Sequence, residues 1–275
     1  MSNILNSIAE YSIQTRRKKP LIHNITNYVT VNDCANAVLA IGASPIMADD
    51  IGEAADITAI SSALVINIGT LNTRTVESML AAGKKANELG IPVILDPVGA
   101  GASALRNNTT RTILSEIRVS VIRGNMSEIS FIAGLSANTK GVDAAEDDIK
   151  AGDAKAVAIA VARKLQCVVA ITGVTDTISD GNRLSSISNG HKMLSNVTGT
   201  GCMTTALVGA YCGAGKDLYT AAVAGVASMG IAGEIAFEKA GTMGTGSFHA
   251  AIIDALSLLD EKIIFERARI NETVC

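Results

Sequence analysis

Residues 63–96 read ALVINIGTLNTRTVESMLAAGKKANELGIPVILD, a complete strand–helix–strand unit. Ala63–Ile68 is apolar at nearly every position rather than every second one, so both faces of that strand need cover. Gly69 closes it. Thr75–Leu89 reads as a helix that stops at Gly90, a residue suited to the left-handed turn that ends a helix. Pro92-Val93-Ile94-Leu95-Asp96 is a second apolar strand, and it leaves through Pro97-Val98-Gly99-Ala100-Gly101.

The same alternation extends both ways. Toward the N-terminus, residues 4–17 read as a helix ended by Pro20, and Leu21-Ile22-His23-Asn24 as a loop or short strand. Val29–Ala40 is helical, Pro45-Ile46-Met47 a short strand and Ile51–Ser61 a helix. Toward the C-terminus come a helix over Ser103–Ile117, a strand over Val119–Arg123, a helix from Ser127, a helix over Ala154–Leu165 and a strand over Cys167–Thr172. Asp180-Gly181 and Asn189-Gly190 are hairpin turn signals, which predict short antiparallel strands at one sheet edge. Helices over 201–212, 218–239 and 247–259 follow, then a last strand near Ile263–Arg267. The expectation is an α/β fold with a mostly parallel central sheet and helices on both faces. No linker, repeat or low-complexity tract appears, so residues 1–275 are expected to form one domain.

Composition narrows the function. The chain has 275 residues, 48% of them apolar and 18% charged, with a formal net charge of −3. No basic run reaches five residues, which weighs against nucleic acid or an anionic membrane as partner. Arg16-Arg17-Lys18-Lys19 reads as a solvated helix end. Met1–Glu10 lacks a charged start followed by an apolar block, and no uninterrupted apolar stretch reaches membrane-spanning length. Cys34, Cys167, Cys202, Cys212 and Cys275 show no paired spacing, so they read as reduced thiols and point to a cytoplasmic location.

Four strand or loop ends carry chemistry-bearing residues. Asn196-Val197-Thr198-Gly199-Thr200-Gly201-Cys202 leads straight into an Ala-rich helix. Free N–H groups of a first helical turn, with the helix dipole behind them, make an anion hole; a plain glycine-rich cap with Cys202 as a small core residue reads equally well. At such a position a thiol pKa is usually lowered. Arg123-Gly124-Asn125-Met126-Ser127-Glu128 closes another strand. There Arg123 suits phosphate oxygens, and Asn125 with Glu128 suits Mg²⁺; the alternative is a capping box at a helix start. Asp96 and Thr172 also end apolar strands. Ligands in open α/β sheets bind beyond such ends, so these groups would share one edge. His23, with Asn24 beside it, reads as a hydrogen-bonding loop residue near the small-molecule substrate. Gly213-Ala214-Gly215-Lys216-Asp217 has the wrong spacing for a phosphate-binding P-loop and reads as a turn between helices.

These motifs resemble those of the hydroxyethylthiazole kinases. PLIHNITNYVTVNDCANAVLAIGASPIMADD at 20–50 is similar to the N-terminal signature of that family. LDPVGAGAS at 95–103, IRGNMSEI at 122–129 and NVTGTGCM at 196–203 resemble its further motifs in the same order. The resemblance implies a ribokinase-like three-layer sandwich, Mg²⁺ with ATP as co-substrate, and phosphorylation of 4-methyl-5-(2-hydroxyethyl)thiazole on its primary alcohol in thiamine biosynthesis and salvage. It also implies a homotrimer with sites between subunits. Matched by motif, Met47 and Gly199 would contact the thiazole and Arg123 and Thr172 the ATP. Cys202 stands where the wider superfamily usually has an aspartate base. A weak base suffices when phosphoryl transfer runs through a loose transition state.

The mechanism expected from these residues places the alcohol near Cys202 and the γ-phosphoryl group against the 199–202 amides, Gly201 included. Arg123 and a Mg²⁺ ion held by Asp96 and Glu128 would offset the phosphate charge, with Asn125 beside them. Rivals are a hydroxymethylpyrimidine or pyridoxal kinase, a dehydratase of hydrated nicotinamide cofactors, and a non-catalytic thiazole- or nucleotide-binding regulator.

Overall fold

The computed structural model describes residues 3–137 and 153–275. The strand–helix–strand unit is there as read: β3 (Ala63–Asn67), α4 (Thr73–Leu89) and β4 (Val93–Asp96), with β3 and β4 parallel. Asn72 caps α4 through a reciprocal hydrogen bond with Thr75, and Gly90 ends it at φ +70°. Around this unit, β1 (Leu21–Ile25), β2 (Ser44–Ile46), β5 (Val121–Asn125) and β6 (Val168–Thr172) extend the parallel sheet in the order β2-β1-β3-β4-β5-β6. Three antiparallel strands complete one edge: β7 (Asp176–Ser179), β8 (Arg183–Ile187) and β9 (Ile270–Val274).

Continuous apolar strands are covered on both sides. Leu64 and Ile66 pack in a core with Met79, Ala82 and Ala86 of α4 and with residues of α5 (Ala104–Glu116), α6 (Met126–Ala137) and α7 (Ala154–Leu165). Val65, between them, faces the opposite core. That core holds α1 (Asn3–Lys18), α2 (Val31–Ala40), α8 (Thr200–Ala214), α9 (Leu218–Ala240) and α10 (Thr245–Leu258). The layers touch closely there: a Cβ on Gly209 would lie 2.4 Å from Val65 Cγ2. By length and hydropathy α9 would pass for a membrane span, yet 83% of its most apolar window is buried inside the protein. Its apolarity belongs to the core.

Several local expectations need correction. Residues 263–267 are not strand but the end of α11 (Glu261–Arg267), started by Asp260, whose carboxylate accepts from Ile263 N at 2.8 Å. The edge strand is β9, a few residues later. Asn189-Gly190 is no hairpin turn. The Asn189 amide holds the chain leaving α11, donating to Arg267 O at 2.8 Å and accepting from Arg269 N at 2.7 Å. A short 3-10 helix over Lys192–Asn196 follows. The helix expected over 51–61 is shorter, α3 (Ala54–Ala59), because Asp50 Oδ1 accepts from Gly52 N and turns the chain first. Arg16 is not merely solvated: its guanidinium donates to the carbonyls of Ala40, Leu256, Ser257 and Leu259, at the C-terminal ends of two helices. Met1 and Ser2 of the N-terminal reading lie outside the described residues.

Candidate active site

Parallel pairing puts the C-terminal ends of β3, β4, β5 and β6 side by side: Asn67 is in register with Asp96, and Asn125 with Thr172. Helix α8 starts over this edge. Gly199 caps it in the left-handed region, φ +88°, with no side-chain hydrogen bond at the cap. A Cβ on Gly199 would lie 2.6 Å from Thr30 Cγ2, and one on Gly201 would lie 2.7 Å from Arg123 Nη1. The two glycines therefore let the first turn of α8 meet β5 and the β1–α2 loop. Its N–H groups have no partners within the helix.

Asp96 is wholly buried at the centre. Its Oδ2 accepts from Asn67 Nδ2 and from Thr205 Oγ1, each at 2.8 Å, and Arg123 Nη1 lies 3.8 Å away. Oδ1 has no hydrogen-bond partner among the described residues, and neither has Arg123 Nε. Burial pushes the Asp96 carboxyl up to about 6, although Arg123, Thr205 and Asn67 pull the other way. Arg123 Nη2 donates to Thr172 Oγ1. Arg123, Asn125, Thr172, Thr200 and Gly201 line a cleft of about 620 Å³ whose far wall includes Val226, Met229 and Gly230.

Cys202 sits in the first turn of α8, half-buried. Its Sγ accepts from Asn27 Nδ2 at 3.2 Å and from Asn67 Nδ2 at 3.3 Å. The lowered thiol pKa expected for a helix start is not found: burial, and then the Asp96 carboxylate, push it up. Desolvation of the charged form outweighs the helix dipole and the hydrogen bonds.

Glu128 realises the capping box. Its Oε2 accepts from Asn125 N at 2.8 Å, and Asn125 Oδ1 accepts from Glu128 N at 3.0 Å, while Oε1 accepts from Gly99 N at 2.8 Å. His23 is in β1 rather than a loop, and it is fully buried. Nε2 lies 2.7 Å from Ala48 O, which can only accept, so Nε2 carries the proton. Nδ1 lies 2.8 Å from Thr58 Oγ1, a hydroxyl that itself donates to Ala54 O at 2.8 Å, and burial lowers the ring's pKa. With both nitrogens committed, His23 holds the chain just after Met47 instead of reaching into the cleft. Asn24 bends back to donate to Ile22 O at 2.9 Å, and its Oδ1 is buried without a partner among the described residues. Met47 follows β2, partly buried against the same core as Cys202.

Asn27, Thr30, Asn67 and Thr205 complete the centre, and sequence reasoning gave none of them a role. Asn67 had a signal available: like Asp96 and Thr172, it is the polar residue ending an otherwise apolar strand. Asn27, Thr30 and Thr205 reach Cys202 and Asp96 only through tertiary contacts.

The hydroxyethylthiazole kinase family model matches residues 13–262. Hydroxyethylthiazole kinase from Ruminiclostridium cellulolyticum is 71% identical over 272 residues, covering 99% of this chain and 100% of that protein. The same enzyme from Clostridium beijerinckii is 66% identical, covering 99% and 100%. Among solved structures, the hydroxyethylthiazole kinase protein of Pyrococcus horikoshii superposes with a TM-score of 0.89 at 41% identity, over 98% of this chain and 99% of that one. A ribokinase-like superfamily protein from Enterococcus faecalis, 10% identical, shares the fold with a TM-score of 0.61 over 95% and 96%. With strand ends, glycine-rich helix start and full-length similarity all in agreement, the chain belongs to the hydroxyethylthiazole kinase family.

Proposed function

We propose that this kinase transfers the γ-phosphoryl group of ATP to the primary alcohol of 4-methyl-5-(2-hydroxyethyl)thiazole at the Asp96–Arg123–Cys202 centre. The observation that carries the reading is the unspent capacity there. Among the described residues a buried carboxylate oxygen and a guanidinium N–H lack partners, beside a helix start with no side-chain hydrogen bond at its cap. Such a site is preorganised for an anion together with a cation.

The triphosphate enters the 620 Å³ cleft, with Arg123 and Thr172 against its oxygens and the 199–202 amides behind the γ-phosphoryl group. Asp96 Oδ1 and the Glu128 carboxylate fit Mg²⁺, aided by Asn125. Among the described residues no three His, Cys, Asp or Glu side chains form a metal cage, as suits an ion held mostly by phosphate and water. Bound there, Mg²⁺ would supply charge neutralisation. The thiazole lies on the other side of Cys202, against Met47 and Gly199, with its hydroxyl near Sγ. Transfer in line needs little base strength, so position and charge stabilisation supply the rate. We further propose a single domain, a homotrimer with sites between subunits, a cytoplasmic location, and no role for nucleic acid or membrane.

The test is ADP release from Mg·ATP with the thiazole, hydroxymethylpyrimidine or pyridoxal as acceptor. Turnover with the thiazole alone is expected. Turnover confined to a pyrimidine or pyridoxal would keep the kinase and discard the acceptor assignment.

A further inference from the structure

Two carboxamides grip the thiol of Cys202, and neither can flip. Gly69 N donates to Asn67 Oδ1 at 2.9 Å, and Thr30 N donates to Asn27 Oδ1 at 3.1 Å. Main-chain N–H groups only donate, so both amide oxygens are fixed and both NH₂ groups turn toward Sγ. One hydrogen of Asn67 goes to Asp96 Oδ2 at 2.8 Å, and one of Asn27 goes to Asn67 Oδ1 at 3.0 Å. The second hydrogen of each remains for the sulfur.

A neutral thiol has two lone pairs and one S–H. Burial keeps the proton on the sulfur, and with fixed N–H donors on both lone pairs of that neutral thiol its remaining capacity is to donate the S–H. Thr30 does not change this count: its one hydroxyl hydrogen goes to Asn27 Oδ1 at 3.0 Å, and its oxygen accepts from Cys34 Sγ at 3.8 Å. We propose that Asn27 and Asn67 are positioning residues that make Cys202 a hydrogen-bond donor to the acceptor alcohol's oxygen, not the base that removes its proton. The S–H occupies one lone pair of that oxygen and leaves the other aimed at phosphorus. As the new P–O bond forms, the bond from the γ-phosphorus to the β–γ bridging oxygen breaks and its electron pair leaves with ADP. The alcohol proton passes to an oxygen of the transferred phosphoryl group. The inference rests on the thiazole-kinase reading and adds what the thiol does within it.

Steady-state kinetics on the full chain with Mg·ATP and hydroxyethylthiazole test it, using Asn27→Ala, Cys202→Ala and their combination, each first shown to be folded by its melting curve. Asn27→Ala is expected to lower kcat about tenfold, on the order of one hydrogen bond, with both KM values changed by less than about threefold. In the Cys202→Ala background the same change should cost less than about threefold, because no thiol remains to be positioned. Cys202→Ser keeps the donor role and should retain at least about ten times the kcat of Cys202→Ala. Should Asn27→Ala misfold, Asn67→Ala takes its place in the cycle: it removes the donor, and its lost contact with Asp96 is common to both backgrounds and cancels. Equal costs in both backgrounds, or a serine variant no better than alanine, would overturn the proposal. Absence of thiazole-dependent ADP from the unaltered protein would instead sink the kinase reading, and this inference with it.

Discussion

Two arginine–aspartate groups lie at opposite ends of the parallel strands, and they are built in opposite ways. At the start of β8, every guanidinium nitrogen of Arg183 has a carboxylate partner: Nη1 and Nη2 each donate to Asp217 at 2.8 Å, and Nε donates to Asp180 at 2.8 Å. Thr220 adds a hydrogen bond to Asp217, and the Tyr219 ring lies 4.1 Å beneath the guanidinium. Arg183, ahead of the other causes, holds the Asp217 carboxyl down at about 2. Toward the C-terminal end of β5, Arg123 stands 3.8 Å from Asp96, its Nε has no partner among the described residues, and Asp96 is pushed up to about 6. The same residue types form a finished fastening at one end and an unfinished socket at the other. A fastening satisfies itself; a socket keeps capacity for a ligand.

The largest expected effect separates the two arginines. Arg123→Ala should lower kcat/KM about a thousandfold, as loss of a transition-state charge partner does, with little change in melting temperature. Arg183→Ala should cost about 2 kcal/mol in denaturant unfolding, the worth of charged hydrogen bonds at a half-exposed site, and leave turnover per folded molecule within about twofold. The opposite pattern would dissolve the comparison.

The aspartates sharpen it through pH. Native Asp96 keeps its proton to about 6 whereas the ordinary value is 3.8, so its contribution to stability falls as pH rises through that window. Native Asp217 stays charged down to about 2, so its contribution is present above 3.8 and lost as pH falls toward 2. In buffer without divalent cations, Asp96→Asn should remove the first slope and Asp217→Asn the second, both read by chemical unfolding. An unaltered pH profile in either variant would contradict the assignment. Asp96→Asn should also lower turnover about a hundredfold, and Asp217→Asn should not.

Two glycines give the smallest contrast. Alanine at 201 would press on Arg123 Nη1, and alanine at 215 would press on the Tyr11 ring, 2.4 Å away. Gly201→Ala should raise the KM for ATP about tenfold, the cost of displacing one charged contact. Gly215→Ala should lower the melting temperature and leave that KM alone.

Much of this was legible beforehand. Asp96, Arg123, Asn125 and Thr172 were each visible as polar ends of apolar strands, and the sheet brings those ends together as the parallel reading requires. Glu128 was visible as either a capping residue or a metal ligand, and the structure displays the cap while leaving its carboxylate beside Asp96. His23 was misplaced because one sequence cannot tell a loop histidine from a strand histidine satisfied by Ala48 and Thr58. The Cys202 thiol was misjudged because the helix start is local and readable, whereas burial and the nearby Asp96 are not. Asn67 carries the same signal as Asp96, a polar end to an apolar strand, and its register beside Asp96 shows its use.

What the sequence determined by itself is whatever short-range periodicity and backbone preference encode. Continuous apolar strands demand two covering layers, and glycines at 90, 199 and 201 permit the turns and approaches found there. What only the tertiary structure decided is which polar groups are satisfied. Asn27, Asn67, Asp96 and Cys202 are separated by up to 175 positions in the chain, and hydrogen-bond capacity is spent or left free only once distant segments meet in a space from which water is excluded.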